Sequence, residues 1–358
     1  MRSWAEIYTN KLKENVKKVY SFVKKDIIAV VKADAYGHDA VLISKTLEKI
    51  PYIKFLAVAT AEEGKILKEN KIKKDILVLG GILEEELECF NKYNLIPVIS
   101  DFNQLKLAHK LKNKTIHLKF DTGMNRLGFY KEDIEKVINL TKELNIQGFM
   151  THFPSADIDS EYTKNQIKQF YEILKKLNLK NIYPNYIHSQ NSAGLTYKCD
   201  FCNLVRIGLV IYGEKPYENF PLKLDNIMYI KAKLISIKNL KKGEKVSYTG
   251  SFTADRNMKI GVVSFGYADG LPRLLSNKGY LLINGKKAKI IGNITMDMTI
   301  VDLSNINAKI GDEVVIIGKQ KDKEIKFADV AKLAQTIPYE IMCGISKRVR
   351  RIEIKNGK

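Results

Sequence analysis

Ile27-Ile28-Ala29-Val30-Val31-Lys32-Ala33-Asp34-Ala35-Tyr36-Gly37-His38 sets a lysine at the end of an unbroken apolar run. Small and β-branched side chains without polar alternation predict a strand buried on both faces, and Gly37-His38 marks the turn out of it. An amine at the end of such a strand loses solvation. That lowers its pKa and frees it for Schiff-base chemistry with a carbonyl cofactor such as pyridoxal phosphate (PLP). Taken alone, the segment reads more readily as a lysine snorkelling from a strand terminus, so the rest of the chain decides.

Working outward, the same pattern repeats. Seven further short apolar runs follow at Phe55–Ala59, Ile76–Gly80, Ile96–Ser100, Thr115–Phe120, Gly148–His152, Asn185–His188 and Leu204–Gly208. Between them lie amphipathic stretches in which Ile134, Val137 and Ile138, or Ile167, Phe170, Ile173 and Leu174, recur at helical spacing. Alternating strands and helices indicate parallel βα units, and eight of them in about 200 residues predict a closed (β/α)8 TIM-like barrel. Such a barrel carries its chemistry at the C-terminal ends of its strands. Polar residues stand there: Lys32, Lys119 with Asp121, His152, His188 and Arg206. An open doubly wound sheet would instead place a glycine-rich turn after the first strand, and this sequence has none.

Beyond residue 225 the helical period gives way. Tyr229–Ile237 alternates, Tyr280–Ile283 runs into the hairpin pair Asn284-Gly285, and strands are predicted at Lys259–Phe265, Thr299–Leu303, Glu313–Ile317 and Val349–Ile354, with one helix near Ala328–Gln335. The α/β chain therefore divides into a barrel over residues 1–225 and a C-terminal mostly-β domain over 226–358. The strand near Ala5–Tyr8 fits either unit.

With 358 residues, 45% hydrophobic and 28% charged, the chain has the balance of a soluble globular protein long enough for two such units. No apolar stretch approaches a membrane span, and Met1-Arg2-Ser3-Trp4-Ala5-Glu6 lacks a signal-peptide core, so a cytoplasmic location without membrane contact is expected. The net charge of +20 raises nucleic acid as a partner. The lysines, however, fall in dispersed pairs such as Lys17-Lys18, Lys24-Lys25, Lys175-Lys176 and Lys241-Lys242, without a stripe interleaved with aromatics. No nucleic acid is expected, and the charge reads as a solvated surface that attracts small anions. Cys199-Asp200-Phe201-Cys202 has redox spacing but no thioredoxin pattern and no second pair to complete a zinc site, so neither a disulfide scaffold nor a metal is expected.

Nine motifs then occur in order: Val31–His38, Lys119–Gly128, Thr151–Phe153, Asn191–Ala193, Val205–Gly208, Val246–Tyr248, Gly266–Gly270, Thr295–Asp297 and Pro338–Glu340. Along essentially its whole length the chain resembles the PLP-dependent alanine racemases. The resemblance implies the same barrel and β-domain, PLP as cofactor, alanine as substrate and a homodimer with shared sites. It assigns Lys32 the Schiff base and one face of the substrate's α-carbon, and Tyr248 the other face, because racemisation removes a proton on one side and returns it on the other. A free phenol, with a pKa of about 10, is a poor base at neutral pH, so His152 and Arg206 are implied as neighbours that favour the phenolate. Arg206 is also implied at the pyridine nitrogen of PLP, where an arginine, unlike a carboxylate, cannot accept that nitrogen's proton. This makes the ring a weaker electron sink and limits return of the proton at the wrong carbon.

The same resemblance gives the phosphate to Tyr36, Ser192, Tyr339 and the N–H groups of Gly208 and Leu209, with Asn191 beside them. Ser192 reads equally well as a helix N-cap. Arg126 is implied to orient the cofactor's phenolic oxygen and the substrate carboxylate, and Lys119, carbamylated in some relatives, becomes an anion that holds Arg126. Tyr248, Met296 and Asp297 are implied to reach the barrel mouth of the partner subunit, with Tyr267 and Tyr339 narrowing the entrance and Asp157 and Arg273 lining its approach. Asn293 and Thr295 depart from the family pattern, where arginine and Cys or Ser are common. They make the entrance less cationic and bear on substrate range. Asn125 is a minor variant. The expected function is interconversion of L- and D-alanine, supplying D-alanine for peptidoglycan. The alternatives are a broad-spectrum racemase of serine or basic amino acids, which smaller residues at Tyr267 and Tyr339 would signal, and a non-catalytic PLP-binding barrel protein, which would lack the β-domain.

Overall fold

In the computed structural model, which describes residues 1–355, all eight apolar runs form parallel strands that close on themselves. After an N-terminal strand β1 (Ser3–Tyr8) come β2 (Asp26–Val30), β3 (Ile53–Val58), β4 (Asp75–Val78), β5 (Ile96–Ile99), β6 (Thr115–Lys119), β7 (Asn145–Met150), β8 (Tyr186–His188) and β9 (Leu204–Ile207). Each of β2 to β9 pairs with the next, and β9 pairs back to β2. Helices cover the outside, so Ile27, Ile28, Ala29 and Val30 are all buried, as a strand without alternation requires. The helices over Ala40–Leu47, Ala61–Glu69, Phe102–Ala108 and Ser160–Asn178 begin at Asp39, Thr60, Asp101 and Asp159, whose side chains accept the first free N–H groups.

Most strands stop one or two residues before their apolar run does. β2 ends at Val30, β7 at Met150 and β9 at Ile207, short of Lys32, His152 and Gly208. The chain leaves the ladder there, which puts those residues on the loops of the C-terminal rim.

The second unit follows as β10 (Met228–Leu240), β11 (Lys245–Val246), β12 (Phe252–Thr253), β13 (Met258–Val263), β14 (Tyr280–Ile283), β15 (Lys286–Lys289), β16 (Thr299–Asp302), β17 (Glu313–Gln320), β18 (Lys323–Ile325) and β19 (Arg350–Ile354). Its main sheet has the order β15-β14-β17-β10-β1-β19. Asn284 and Gly285 take φ of 52° and 80°, as a tight hairpin demands. β1, ambiguous in sequence, pairs antiparallel with β10 and parallel with β19, so the N-terminus belongs to this sheet. Two helices are present where one is predicted, Phe327–Leu333 and Pro338–Cys343, the second opening on a proline and carrying Tyr339. The end of the unit at residues 356–358 lies outside the described residues.

The chain starts in the β-domain, enters the barrel through the helix Thr9–Val23 and returns beyond β9. Asn15, buried on that helix, joins the two crossings: its amide donates to Ile211 O and Asp225 O at 3.2 and 2.8 Å and accepts from Asp225 N at 3.0 Å. One apolar cluster includes Ile28 and Val205 of the barrel and Leu282 and Val315 of the β-domain, so the units share a core. Among the described residues no helix is long and apolar enough to cross a membrane.

Candidate active site

Lys32 leaves β2 on a turn of the wrong hand. Ala33, Asp34, Ala35 and Tyr36 all lie at φ of 51–53° with ψ of 44–51°, a left-handed helical turn, and Gly37 continues it at φ 76°. L-residues avoid this region by roughly 1–2 kcal/mol each, so the four together cost about 4–8 kcal/mol that surrounding bonds must offset. Glu63 accepts from Ala33 N at 2.7 Å and Asp34 from Ala40 N at 2.7 Å. His38 Nδ1 donates to the carbonyls of Ala35 and Tyr36 at 3.0 and 2.8 Å, and Arg351 of β19 donates twice to Gly37 O at 3.0 and 2.8 Å. Burial lowers the His38 pKa to about 4, so the ring is neutral. A Cβ on Gly37 would stand 2.3 Å from Met342 O, which excludes any other residue. The sequence reading turns the chain at Gly37-His38; the structure turns it four residues earlier, in a conformation that Ala-Asp-Ala-Tyr does not announce.

Lys32 opens into a cavity of about 630 Å³ at the rim, lined also by Tyr36, Lys119, Arg126, His152, Asn191, Ser192, Arg206, Gly208, Leu209 and Tyr339. Burial and the Arg126 charge lower the Lys32 pKa, against the opposing pull of Glu63. At the buried end, Arg206 donates to His188 Nδ1 at 2.8 Å, to Thr151 O at 3.1 Å and to His152 Nδ1 at 2.7 Å. A guanidinium can only donate. Both Nδ1 atoms are therefore bare, and each neutral ring carries its proton on Nε2. His188 hands the order on, Nε2–H donating to His117 Nδ1 at 3.0 Å and His117 Nε2–H to Gln147 Oε1 at 3.3 Å. Burial and the Arg206 charge hold His152 and His188 well below the imidazole range, and burial takes His117 to about 4. Burial also lowers Arg206, to about 10, which leaves it charged at neutral pH.

Lys119 is buried, and its burial, with the charges of Arg206 and Arg126, lowers its pKa to about 8. Beyond it, Asp121 folds the loop by accepting from Gly123 N at 2.8 Å and Arg126 N at 3.2 Å, so that Arg126 returns over the cavity. Asn125 sits at φ 55°, a conformation asparagine tolerates better than most residues.

On another wall, Gly208 N donates to Ser192 Oγ at 3.4 Å. The Tyr36 ring lies against the bare Cα of Gly208, where a Cβ would come within 2.4 Å of its hydroxyl. Tyr339 stands edge-on to Tyr36 with ring centres 5.8 Å apart. The alternative role of Ser192 as a helix N-cap is not taken up, since its side chain makes no capping bond. Asn191 Oδ1 takes that role, accepting from Gly194 N at 2.9 Å, while its amide donates to Phe153 O at 2.9 Å.

Of the β-domain candidates only Tyr339 lines this cavity; Tyr248, Tyr267, Met296 and Asp297 do not. Tyr248 is 72% exposed, Met296 53% and Tyr267 43%, and Asp297 is bonded to Arg348 at 2.8 Å. Tyr267 N and Ala268 N donate to Thr295 O and Met296 O, both at 3.0 Å, which ties the Tyr267 and Met296 loops into one outward face. Tyr248 lies between Ser247 and Thr249, at φ of 65° and 63°. Asn293 props this turn, its side-chain amide donating to Tyr248 O at 2.9 Å and Thr249 Oγ1 at 3.1 Å and its main-chain carbonyl accepting from Ser247 Oγ at 2.7 Å. The Thr295 hydroxyl is likewise engaged, with Met298 O at 2.9 Å.

Residues 7–216 match the family model described as alanine racemase, N-terminal domain, and residues 227–353 match alanine racemase, C-terminal domain. The chain belongs to the alanine racemase family. It is 46% identical over 354 residues to an alanine racemase of Aquifex pyrophilus, with 99% of each chain covered. It superposes with a TM-score of 0.92 on the alanine racemase of Bacillus anthracis with bound L-Ala-P, 32% identical and covering 100% of this chain and 96% of that one. The TM-score is 0.89 with the alanine racemase of Bartonella henselae with covalently bound pyridoxal phosphate, 29% identical and covering 99% and 100%. Alanine racemases are isomerases, and this chain is an enzyme of that class.

In this alanine racemase fold, sequence reasoning misses His117, Gln147 and Glu63. His117 is legible in principle, since it stands two positions before Lys119 on β6 and so on the same pleat face. Gln147 carries no such signal. Glu63 lies in Thr60-Ala61-Glu62-Glu63, which spells a capping box and points only to a helix start.

Proposed function

We propose that the chain interconverts L- and D-alanine with PLP held at Lys32, and that Tyr248 of a second copy is the other acid–base group. The observation that carries the reading is one cavity joining the desolvated Lys32 amine, a charged Arg206 and the cluster of Tyr36, Ser192 and Gly208. These residues fit the cofactor. Hydroxyl and backbone donors suit its phosphate, the guanidinium can donate to the ring nitrogen without receiving a proton, and a free amine suits its carbonyl carbon. When bound, PLP supplies electron withdrawal that acidifies the α-hydrogen of an attached amino acid.

Lys32 Nζ takes or returns that proton on one face, and Tyr248 Oη does so on the other. His152 and His188, both accepting from Arg206, fix the guanidinium, which would donate to the ring nitrogen of the bound cofactor without giving up a proton to it. Arg126 receives the substrate carboxylate, and a carbamate on Lys119 provides the anion that holds it. Tyr267 and Tyr339 exclude side chains much larger than methyl. The exposure of Tyr248, Met296 and Tyr267 supports a shared site, since an acid–base group must leave bulk water to act selectively. A second copy laid with this face over the barrel mouth buries all three, and the D-alanine formed serves peptidoglycan synthesis.

Chiral analysis of L-alanine incubated with PLP-loaded protein in deuterated water, with L-serine, L-lysine and L-arginine alongside, tests the reading. Deuterated D-alanine approaching an equal mixture, with little turnover of the others, is expected. Racemised serine or basic amino acids in its place move the substrate, and no exchange with any of them overturns the reading.

A further inference from the structure

Glu63 touches neither the cavity wall formed by Arg206 nor the Tyr36 cluster, yet it grips the turn that carries Lys32. Its helix begins Thr60-Ala61-Glu62-Glu63, and in a capping box the glutamate at the third helical position reaches back to the N–H of the capping threonine. Half of the box forms, with Glu63 N donating to Thr60 Oγ1 at 3.3 Å. The carboxylate goes elsewhere. Oε2 accepts from Ala59 N and Oε1 from Ala33 N, both at 2.7 Å.

Ala59 directly follows β3, and Ala33 directly follows Lys32 beyond β2. One carboxylate thus joins two adjacent barrel strands just past the end of their ladder. Such charge-assisted bonds to backbone N–H groups are the stronger kind. Ala33 is also the first left-handed residue, and the first N–H groups of any helical turn lack an acceptor within it. Of the other side-chain anchors, Asp34 reaches forward from the second residue of the turn to Ala40 N, while His38 and Arg351 act on the carbonyls of Ala35, Tyr36 and Gly37. Among the described residues, Glu63 is the side chain that bonds the end next to Lys32.

We propose that Glu63 is a positioning residue for Lys32: by bridging Ala33 and Ala59 it holds the left-handed turn that aims the amine into the cavity. The proposal rests on the reading of Lys32 as the PLP lysine. A helix cap alone needs no bond to Ala33. The Glu63 charge separately opposes the lowering of the Lys32 pKa, so its two effects carry opposite signs: losing the charge frees the amine at lower pH, whereas losing the bridge slows its reaction.

The test follows covalent attachment of PLP to the cofactor-depleted protein across pH, with the adduct fixed by borohydride and located by peptide mass spectrometry. Hydrogen exchange at Ala33 N–H is measured on the same proteins. Glu63→Ala is expected to attach PLP at Lys32 about tenfold or more slowly at every pH, with Ala33 exchange about tenfold or more faster, as the loss of a charge-assisted bond implies. Glu63→Gln, which keeps one acceptor oxygen, falls between, with its pH profile moved to lower pH. Thr60→Ala loses the cap but keeps the bridge, so its unfolding midpoint falls while its attachment rate stays that of the wild type. Wild-type attachment rates and Ala33 exchange in Glu63→Ala overturn the proposal, as does equal slowing in Thr60→Ala. If Glu63→Ala does not fold, Glu63→Gln is judged by the same criteria. Wild-type protein that attaches no PLP at Lys32 fails the proposed function itself; faster Ala33 exchange in the Glu63 variants then still supports the hold on the turn, and unchanged exchange overturns it.

Discussion

Gly208→Ala adds one methyl group whose surroundings set the size of its effect. The φ of Gly208 is −126°, so alanine meets no left-handed strain there. The new Cβ, however, would stand 2.4 Å from the Tyr36 hydroxyl, 2.6 Å from Cε2 and 2.8 Å from Cζ, where ordinary contact begins at 3.4 Å. The ring must therefore retreat by about 1 Å. Tyr36 is poorly placed to do so, because its backbone is locked in the left-handed turn and its ring packs edge-on at 4.8 Å against the fully buried Tyr212. Overpacking of this kind costs about 1–3 kcal/mol. If the retreat takes the Tyr36 hydroxyl out of the cluster with Ser192, PLP loses a hydrogen bond to its charged phosphate, about 1.5–3 kcal/mol, a drop of about 10- to 150-fold in affinity. Urea unfolding and absorbance titration of cofactor-depleted protein with PLP read the two quantities. Combining Gly208→Ala with Tyr36→Phe removes the nearest clashing atom and should restore part of the stability but not the affinity. Gly208→Ala protein that binds PLP within about twofold of wild type and loses less than about 0.5 kcal/mol would refute a clash between this methyl group and Tyr36.

Lys32→Ala and Tyr248→Phe chains, each inactive alone, should regain activity when co-assembled. Half of randomly paired dimers are mixed and each of those holds one intact site of two, so about a quarter of wild-type activity returns, whereas none returns if Tyr248 serves the Lys32 of its own copy. With Lys119 at a pKa of about 8, its free amine grows as pH rises between about 7 and 9. A carbamate signal in ¹³C NMR of protein in labelled bicarbonate should grow with it and vanish in Lys119→Ala, and a wild type without that signal refutes the carbamate. His117, at about 4 when folded against about 6.5 when unfolded, binds its proton more readily in the unfolded chain. Its neutral burial therefore contributes stability at pH 7 that is lost as pH falls from about 6.5 to about 4, up to about 3 kcal/mol. Urea unfolding at pH 7 and 5 should show His117→Gln losing about 2 kcal/mol less than wild type over that interval, and equal losses would contradict a neutral, proton-ordered chain of imidazoles.

Much of the architecture is legible in local pattern. The eight apolar runs become the eight barrel strands, and Asn284-Gly285 makes its hairpin, because side-chain period and turn chemistry are properties of neighbouring residues. The strand ends are overshot, at Val30, Met150 and Ile207, because an apolar run does not record where its hydrogen-bonding neighbour stops. In the site, Lys32, Arg126, His152 and Arg206 do meet in one cavity. Ser192 shows the limit of local reading, since the cap goes to Asn191 once the loop closes on Phe153.

The amino-acid sequence by itself determined that there are a barrel and a β-domain, that a lysine follows the first barrel strand, and that basic and imidazole groups stand near the C-terminal ends of the strands. Only the tertiary structure decided the hand of the turn after Lys32, the order of protons from Arg206 through His188 to His117, and the membership of β1 in the second sheet. The physical reason is range. Ala33–Tyr36 as L-residues disfavour positive φ, and the acceptors and donors that reverse that preference come from Glu63, 30 positions along the chain from Ala33, and from Arg351, 314 positions from Gly37. His117 and His188 stand 71 positions apart and meet because the barrel closes. Periodicity and propensity register a residue's neighbours along the chain, and these partners become neighbours only when the chain has folded.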